Sequence, residues 1–186
     1  MSRQVSNAGY NNDWFKKQIH ASLFKRVTWY ITNALFFICP LNPSSGIKKT
    51  FLRMFGAKIG KGVVCKPGIN IKYPWKLVIG DHTWIGEKVW IDNLAEIEIG
   101  CNVCISQGAM LLTGNHDYSS ATFDLKVERI ILEDGTWIGA RAIVCPGVTC
   151  GTHSVLAVNS VATRNLEAYK IYQGNPAVFV KERVIQ

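Results

Sequence analysis

The stretch LEDGTWIGARAIVCPGVTCGTHSVLAVNSVATRNLE, residues 132–167, decides the fold because its residue types repeat every six positions. An α-helix repeats about every 3.6 residues and a plain strand at every second residue, so neither produces this period. Hexapeptide repeats are typical of parallel β-helices, in which three short strands form one triangular coil and the coils stack. We therefore predict a column of coils whose inward-pointing residues are the first of each six: Leu132, Ile138, Val144, Cys150, Leu156 and Ala162.

The same register extends back to Ile59 with interruptions at definite places. Coils are predicted to start at Ile59, Ile79, Ile99, Leu132 and Cys150, at intervals of 20, 20, 33 and 18 residues. Against a coil of three sixes, two turns carry two extra residues and one carries fifteen. The intervals predict an all-β fold of about five coils.

These intervals also predict the division of the chain. Residues 59–186 form the β-helix, with a long loop at 113–131 and a C-terminal tail at 168–186, and residues 1–58 form an N-terminal helical cap segment. Glycine often takes the second position of a six. Because a Cβ is often strained at a sharp corner, we predict that these glycines occupy coil corners: Gly60, Gly80, Gly86, Gly100, Gly139 and Gly151.

Length and composition fit one domain, since 186 residues of which 48% are apolar suffice to bury one core. Neither a membrane-spanning helix nor a cleaved signal peptide is predicted, so we expect a cytoplasmic protein. The six cysteines are predicted to be reduced thiols. Cys65 and Cys150 take inward positions, and Cys101 and Cys104 lack a second pair at zinc spacing.

The net charge of +8 lies in the N-terminal third of the chain. Residues 1–58 contain nine Lys or Arg and one acid, whereas residues 59–186 contain twelve charges of each sign. The repeat region is therefore neutral. Nucleic-acid binding is not predicted, because the basic residues do not accompany a recognisable nucleic-acid-binding motif.

Residues 14–38 are predicted to be helical, ending before Pro40, and carry more apolar side chains than one narrow face holds. One interpretation is a cap over the open end of the solenoid, which otherwise exposes unpaired strand edges. The other is a segment at a membrane surface, with apolar side chains in the lipid boundary and four cations toward anionic headgroups: Lys16, Lys17, Lys25 and Arg26. The two are compatible. A second helix is predicted over residues 47–55.

The fifteen-residue excess follows Leu111 and is polar and rich in turn-forming residues. Loops on a rigid scaffold carry function more often than the scaffold does. His116 stands at the root of this loop, and neutral imidazole is suited to general-base catalysis near neutral pH. We interpret His20, His82 and His153 as surface or turn residues.

Several motifs follow one another in the order of a known family. TGNHD at 113–117 precedes WIGA at 137–140, PGV at 146–148 and GNPA at 174–177. Together with the hexapeptide run, they resemble the left-handed parallel β-helix acyltransferases that use acetyl-CoA, over residues 59–183. Within that family, FGAKIGKGVV, YPWKLVIGD, GNPAVFVKERV and the basic, apolar N-terminus are most similar to the colanic-acid-biosynthesis O-acetyltransferases of exopolysaccharide clusters.

The resemblance implies an O-acetyltransferase that moves an acetyl group from acetyl-CoA to a sugar hydroxyl of an exopolysaccharide precursor. His116 would take the hydroxyl proton as general base, and an amide near Gly139 and Ala140 would face the thioester carbonyl. Other residues are also assigned to the cofactor, either by the resemblance or because its phosphates need cations. They are Trp137, Ala157, Val158, Thr163, Arg164, Lys181 and Arg183.

The resemblance also implies an acceptor site and an assembly. Asp92 and Asn93 interrupt the repeat one coil below His116, where acceptor hydroxyls would be held, although a corner Asp or Asn also commonly bonds local backbone. Asp117 is grouped with them, and either orients the His116 ring or caps the loop turn. The family forms homotrimers with shared active sites. The basic, apolar N-terminus favours a lipid-linked saccharide at the inner face of the cytoplasmic membrane.

Two other functions stay open. One is an acetyltransferase that acts on a soluble small sugar, a nucleotide sugar or a xenobiotic. The other is a solenoid without catalysis that serves binding or scaffolding. A zinc hydratase on this fold would need three histidines spaced for one metal, but His82, His116 and His153 are each isolated, so no metal is predicted.

Overall fold

The computed structural model describes residues 4–186, and the first three residues of the predicted N-terminal segment lie outside it. The helical elements are a 3-10 turn (Asn7–Gly9), α1 (Asp13–Gln18), α2 (Leu23–Thr32) with a π-helical continuation (Asn33–Ile38), α3 (Ser45–Met54) and a second 3-10 turn (Pro74–Lys76). The strands are β1 (Lys58–Ile59), β2 (Val64–Cys65), β3 (Asn70–Ile71), β4 (Leu77–Ile79), β5 (Trp84–Ile85), β6 (Trp90–Asp92), β7 (Ile97–Ile99), β8 (Cys104–Ile105), β9 (Met110–Leu112), β10 (Gly114–His116), β11 (Leu125–Val127), β12 (Ile130–Leu132), β13 (Trp137–Ile138), β14 (Ile143–Val144), β15 (Thr149–Cys150), β16 (Val155–Leu156), β17 (Val161–Ala162), β18 (Lys170–Gly174) and β19 (Ala177–Glu182).

Three parallel sheets form the faces of a solenoid. The first contains β1, β4, β7, β12 and β15, the second β2, β5, β8, β13, β16 and β18, and the third β3, β6, β9, β14 and β17. In the first sheet Ile59, Ile79, Ile99, Leu132 and Cys150 align in register, which confirms the coil starts predicted from the sequence. Strand β19 adds antiparallel to β18, and β10 and β11 form a separate hairpin.

The inward positions form the core. Predicted first positions from Cys65 to Ala162 are buried, whereas Ile59, in the first coil, is partly exposed. Each large aliphatic side chain buried in this way contributes about 1.5–3 kcal/mol to folding. Burial raises the pKa of the Cys65 thiol to about 11 and that of Cys150 to about 12, so both stay protonated at neutral pH and pack as small hydrophobic residues.

The recurrent glycines are required for a reason other than corner strain. Left-handed backbone occurs instead at the fourth position of the sixes, as at Gly62, Lys88 and Arg141, with φ of 65°, 57° and 56°. Within residues 4–186, none of the second-position glycines adopts this left-handed conformation. A Cβ on Gly139 would lie 2.6 Å from the backbone nitrogen of Val158 in the next coil. Glycine at this position therefore permits the close stacking of coils.

The N-terminal helices cover the first coil. The Trp29 indole donates to the Ile71 carbonyl on edge strand β3 at 2.9 Å, and Phe37 and Leu52 are fully buried in the solenoid core. The Ser45 hydroxyl accepts the amide of Cys65 on β2 at 2.9 Å. These contacts satisfy backbone groups that an uncovered end would expose.

The helix boundaries differ from those predicted. The single helix predicted over residues 14–38 is divided, because the chain leaves helical geometry between α1 and α2, where Ser22 caps α2 by accepting the amide of Lys25. Helix α3 starts two residues before the predicted segment at 47–55, with Ser44 as its cap. No helix in residues 4–186 is long and apolar enough to cross a bilayer.

Candidate active site

His116 lies on a hairpin that projects from the corner between the third and first sheets. Strand β10 pairs antiparallel with β11, and His116 is opposite Leu125 in the register. The hairpin closes where the Asp117 amide donates to the Asp124 carbonyl at 2.7 Å. The predicted loop at 113–131 is therefore an ordered arm built on two paired strands.

The hydrogen bonding of His116 determines which ring nitrogen is free. Its Nδ1 lies 2.8 Å from the Phe123 carbonyl oxygen. A carbonyl only accepts, so in the neutral imidazole Nδ1 carries the hydrogen and Nε2 presents its lone pair. The Phe123 ring stacks on the imidazole at 4.4 Å with an interplanar angle of 5°, and Tyr10 lies 5.8 Å away on a tilted plane. The residues around His116 thus fix both its tautomer and its orientation.

We expect Phe123→Leu to lower kcat about fivefold, because an aromatic stack contributes on the order of 1 kcal/mol to orienting the imidazole. The KM for acetyl-CoA, the co-substrate that the family resemblance implies, should stay unchanged in steady-state kinetics. Tyr118→Leu is the matched control, since Tyr118 is an exposed aromatic residue on the same arm. Equal losses in both variants would contradict a specific role for the stack.

Asp117 does not contact the His116 ring. Its carboxylate accepts hydrogen bonds from the Ser119 amide at 3.0 Å and from the Ser119 hydroxyl, and forms an ion pair with Lys126 at 2.8 Å. The hydrogen bond from Lys126, followed by those from Ser119, holds the pKa of Asp117 well below its usual range. Of the two roles considered for Asp117 relative to His116, the structure therefore shows the turn cap, and the Phe123 carbonyl orients the ring instead.

Asp92 lies at the end of β6, between Lys72 and the arm. Lys72 Nζ forms an ion pair with Asp92 Oδ1 at 3.0 Å. The Asp92 carbonyl accepts the Thr113 hydroxyl at 2.8 Å, which ties it to the start of the hairpin. Asp92 is thus held beside the arm that carries His116.

Asn93 was predicted to hold the acceptor, but its side chain is committed elsewhere. The residue is fully buried. Its Oδ1 accepts the Tyr73 amide at 2.9 Å and its Nδ2 donates to the Tyr73 carbonyl. Both polar atoms therefore join two adjacent coils.

A cavity of about 480 Å³ opens between α2 and the third sheet, with Asp92 in its wall. Aromatic faces pack well on the apolar faces of sugar rings, and charged groups bind hydroxyls, so this lining suits a saccharide. The sequence did not indicate the cavity, because its wall comes from distant segments. Besides Asp92, the wall includes Arg26, Tyr30, Lys72, Tyr73 and Trp90.

A second groove, of about 630 Å³, runs along the second sheet. Its lining is largely apolar, which suits an extended aliphatic arm. Six residues predicted to bind the cofactor come together there: Trp137, Gly139, Ala140, Ala157, Val158 and Arg183.

The groove also contains backbone donors. Within residues 4–186, the amides of Gln107, Ala140 and Val158 donate to no protein acceptor. At corresponding corners of the first sheet, by contrast, the amide of Lys61 donates to the Asp81 side chain at 2.7 Å. The amides along the groove are therefore free to bind carbonyl or phosphate oxygens of a ligand.

The remaining predicted cofactor residues differ in position. Thr163, Arg164 and Lys181 are exposed outside the groove lining. Arg183 lines it, with its guanidinium donating to the Gly135 and His153 carbonyls at 2.9 and 3.0 Å.

Three tryptophans take the sixth position of their sixes, which predicts equivalent corners, but they do not form one packed aromatic set. Trp84 and Trp137 lie on the second sheet, separated in register by Cys104, while Trp90 lies on the third. Trp137 instead donates its indole hydrogen to the Ser106 hydroxyl at 2.9 Å in the groove.

Comparisons with known proteins agree with this geometry. WcaF of Escherichia coli strain K12, named as a colanic acid biosynthesis acetyltransferase, is 39% identical over 156 residues, which are 84% of this chain and 86% of WcaF. The chain belongs to the WcaF family of acetyltransferases. The acyltransferase family that the sequence resembles is thereby confirmed, and the protein is an acetyltransferase. No protein-family model matches the chain.

Solved structures of other proteins confirm the fold of this chain. The hexapeptide-repeat acetyltransferase VCA0836 of Vibrio cholerae O1 biovar eltor, complexed with acetyl-CoA, superposes with a TM-score of 0.79 at 22% identity and covers both chains fully. A galactoside acetyltransferase in complex with coenzyme A gives a TM-score of 0.75 at 19% identity, over 92% of this chain and 83% of that one. This chain thus shares its parallel β-solenoid fold with both of these proteins.

Proposed function

We propose that the protein transfers an acetyl group from acetyl-CoA to a hydroxyl of a saccharide precursor of an exopolysaccharide, with His116 as general base. The observation that carries the proposal is the hydrogen bond from His116 Nδ1 to the Phe123 carbonyl, which leaves Nε2 to accept a proton. The kinship with WcaF supports an acceptor of the colanic acid type.

The reaction follows from these groups. Nε2 takes the hydroxyl proton while the oxygen attacks the thioester carbonyl carbon, and the oxyanion that forms accepts a hydrogen bond from the unpaired Ala140 amide. When the intermediate collapses, the carbon–sulfur bond breaks and the imidazolium returns the proton to the departing thiolate. Gln107 and Val158 offer further amides for carbonyl oxygens of the coenzyme A arm.

In this proposal the solenoid coils are left-handed, as in the acyltransferase family that the sequence resembles. The active site is shared between copies of the chain. The ring of His116 contacts Tyr10 and Phe123, and neither lines the groove on the second sheet. Within a single chain, therefore, the proposed base His116 and the groove lie apart. A homotrimer, in which the arm of one copy reaches the groove of the next, brings the two together. Exposed Arg164 and Lys181 are then available for the phosphates of coenzyme A.

Acetyl transfer to lipid-linked and soluble saccharides, followed by the mass shift of the acceptor and release of free thiol, tests this proposal. We expect acetylation of a saccharide intermediate of exopolysaccharide synthesis. Turnover of acetyl-CoA with N-acetylated products only, or with xenobiotic acceptors only, would contradict the saccharide assignment.

Asp92→Asn is expected to raise the KM for the saccharide about tenfold and to leave the KM for acetyl-CoA unchanged. A charge-assisted hydrogen bond to a hydroxyl is worth on the order of 1.5–3 kcal/mol, and the neutral amide retains part of it. Glu87→Gln is the matched control, an exposed acid outside the proposed acceptor cavity. Steady-state kinetics with each substrate varied in turn measures both KM values. A change in the KM for acetyl-CoA alone would contradict the assignment of Asp92 to the acceptor site.

A further inference from the structure

Helix α2 has an apolar side that the solenoid does not cover. Trp29 and Phe37 lie on the side that packs into the end coil. The opposite side, which continues through the π-helical turn, is apolar rather than polar, and Phe24 is 78% exposed. A helix at the surface of a soluble domain normally carries polar residues there. The exposed apolar side chains of this surface, which we call the cap face, are Leu23, Phe24, Val27, Ile31, Leu35 and Ile38.

The cap face belongs to an end of the molecule that is strongly basic. No acidic residue occurs between Asp13 and Asp81, although this segment contains twelve Lys or Arg. The segment forms α1, α2, α3 and the first coil. Helix α2 itself carries two of these cations: Arg26, which is exposed, and Lys25, whose Nζ lies 4.9 Å from the centre of the Trp75 ring. An exposed apolar ridge therefore lies within a positive field.

We infer that the cap face docks on the surface of an anionic lipid bilayer. Its apolar side chains enter the boundary between headgroups and acyl chains, and Lys17, Lys25 and Arg26 lie at the level of the lipid phosphates. The chemistry favours lipid over two other occupants. Nucleic acid offers phosphate but no apolar layer for Phe24 and Ile31, and a second copy of the same end brings like charges together.

Docking in this way presents the acceptor cavity to the membrane, a consequence that rests on the proposed function. Leu23, Val27, Tyr30 and Ile38 belong to α2 and its continuation and also line the cavity beside Asp92. A saccharide attached to a lipid therefore meets the cavity from the bilayer side. In the proposed trimer, rotational symmetry sets three cap faces at one level along the axis, so binding is multivalent.

Sedimentation of the full-length protein with vesicles tests the inference. We expect binding to phosphatidylcholine vesicles that contain phosphatidylglycerol, and weaker, salt-insensitive binding to pure phosphatidylcholine. The double variant Phe24→Ser/Ile31→Ser should bind at least about tenfold more weakly, since each large apolar side chain lost from the boundary weakens partitioning. Neither residue lines the acceptor cavity. Lys17→Gln/Lys25→Gln should weaken binding only to the anionic vesicles.

The matched control is Val178→Ser/Val184→Ser, which removes two exposed apolar side chains from the C-terminal tail and should leave vesicle binding unchanged. Absence of wild-type binding to any vesicle overturns the inference, as does equal weakening in the tail variant. A smaller particle mass for Phe24→Ser/Ile31→Ser in sedimentation velocity would identify the cap face as an interface between copies and overturn it too. If Phe24→Ser/Ile31→Ser still binds duplex DNA as wild type does, the basic end of the molecule would be a nucleic-acid-binding surface instead, which also overturns the inference.

Activity separates this inference from the proposed function. Acetyl transfer to a soluble saccharide fragment, without vesicles, should be the same for wild type and Phe24→Ser/Ile31→Ser. Wild-type transfer without vesicle binding overturns only membrane docking. Vesicle binding without transfer to any saccharide supports docking and contradicts the proposed function.

Discussion

His116→Ala is expected to lower kcat for acetyl transfer by about 10²–10⁴, the usual contribution of a general base, with little change in the KM for acetyl-CoA. The hydroxyl of a sugar is a weak nucleophile at neutral pH, so loss of the base affects the chemical step. Binding of acetyl-CoA should persist, because His116 does not line the groove on the second sheet. Single-turnover kinetics and acetyl-CoA titration measure the two effects separately.

The control for His116→Ala is His82→Asn. His82 is an exposed histidine at a left-handed corner with φ of 56°, a conformation that asparagine tolerates well. This variant should retain wild-type rates. Wild-type turnover in His116→Ala would contradict the assignment of the base, and a melting temperature well below that of wild type would show a defect in the arm instead.

Gly139→Ala is expected to destabilise the protein by about 3 kcal/mol, near the upper end for an overpacked site. The added Cβ would lie 2.6 Å from the Val158 nitrogen, 2.7 Å from the Ala157 carbonyl carbon and 2.8 Å from the Leu156 oxygen. All three are backbone atoms of the next coil, so no side-chain rotation relieves the overlap. Two coils would have to separate along the groove, and binding of acetyl-CoA should weaken as well.

Gly46→Ala provides the contrast. Its Cβ would meet only the Ser44 hydroxyl at 3.8 Å, an ordinary contact, and Gly46 lies within α3. The substitution should be neutral or stabilise the protein by up to about 1 kcal/mol, because alanine is the better helix former. Chemical denaturation of both variants gives the comparison. Equal stability of the two variants would contradict the close-stacking explanation for Gly139.

Much of the fold follows from local sequence. A period of six with an apolar residue first allows stacked coils, and the intervals between coil starts located the interruption that contains His116. The burial of Cys65 and Cys150 follows from the same register. The divided helix was not predicted, because apolar residues recur throughout residues 14–38 and the boundary depends on the cap at Ser22.

The candidate site was predictable only in part. Cofactor positions from Trp137 to Val158 recur at fixed places in the repeat, so they reach one groove once the coils stack. Asn93 and Asp117 were beyond sequence reasoning, since a polar side chain at a corner bonds either backbone or ligand, and the neighbouring chain decides which. Phe123 gave no signal, because its role depends on a carbonyl group that any residue possesses.

By itself, the sequence determined the six-residue register, the residues of the core and the position of the arm, because each depends on the order of apolar side chains along the chain. Only the tertiary structure decided the tautomer of His116, the wall of the acceptor cavity and the reason for glycine at position 139. These depend on atoms distant in sequence that meet when helices pack on the first coil and each coil stacks on the next. Contacts of that kind are set by distances between backbones, which no local pattern of residue types records.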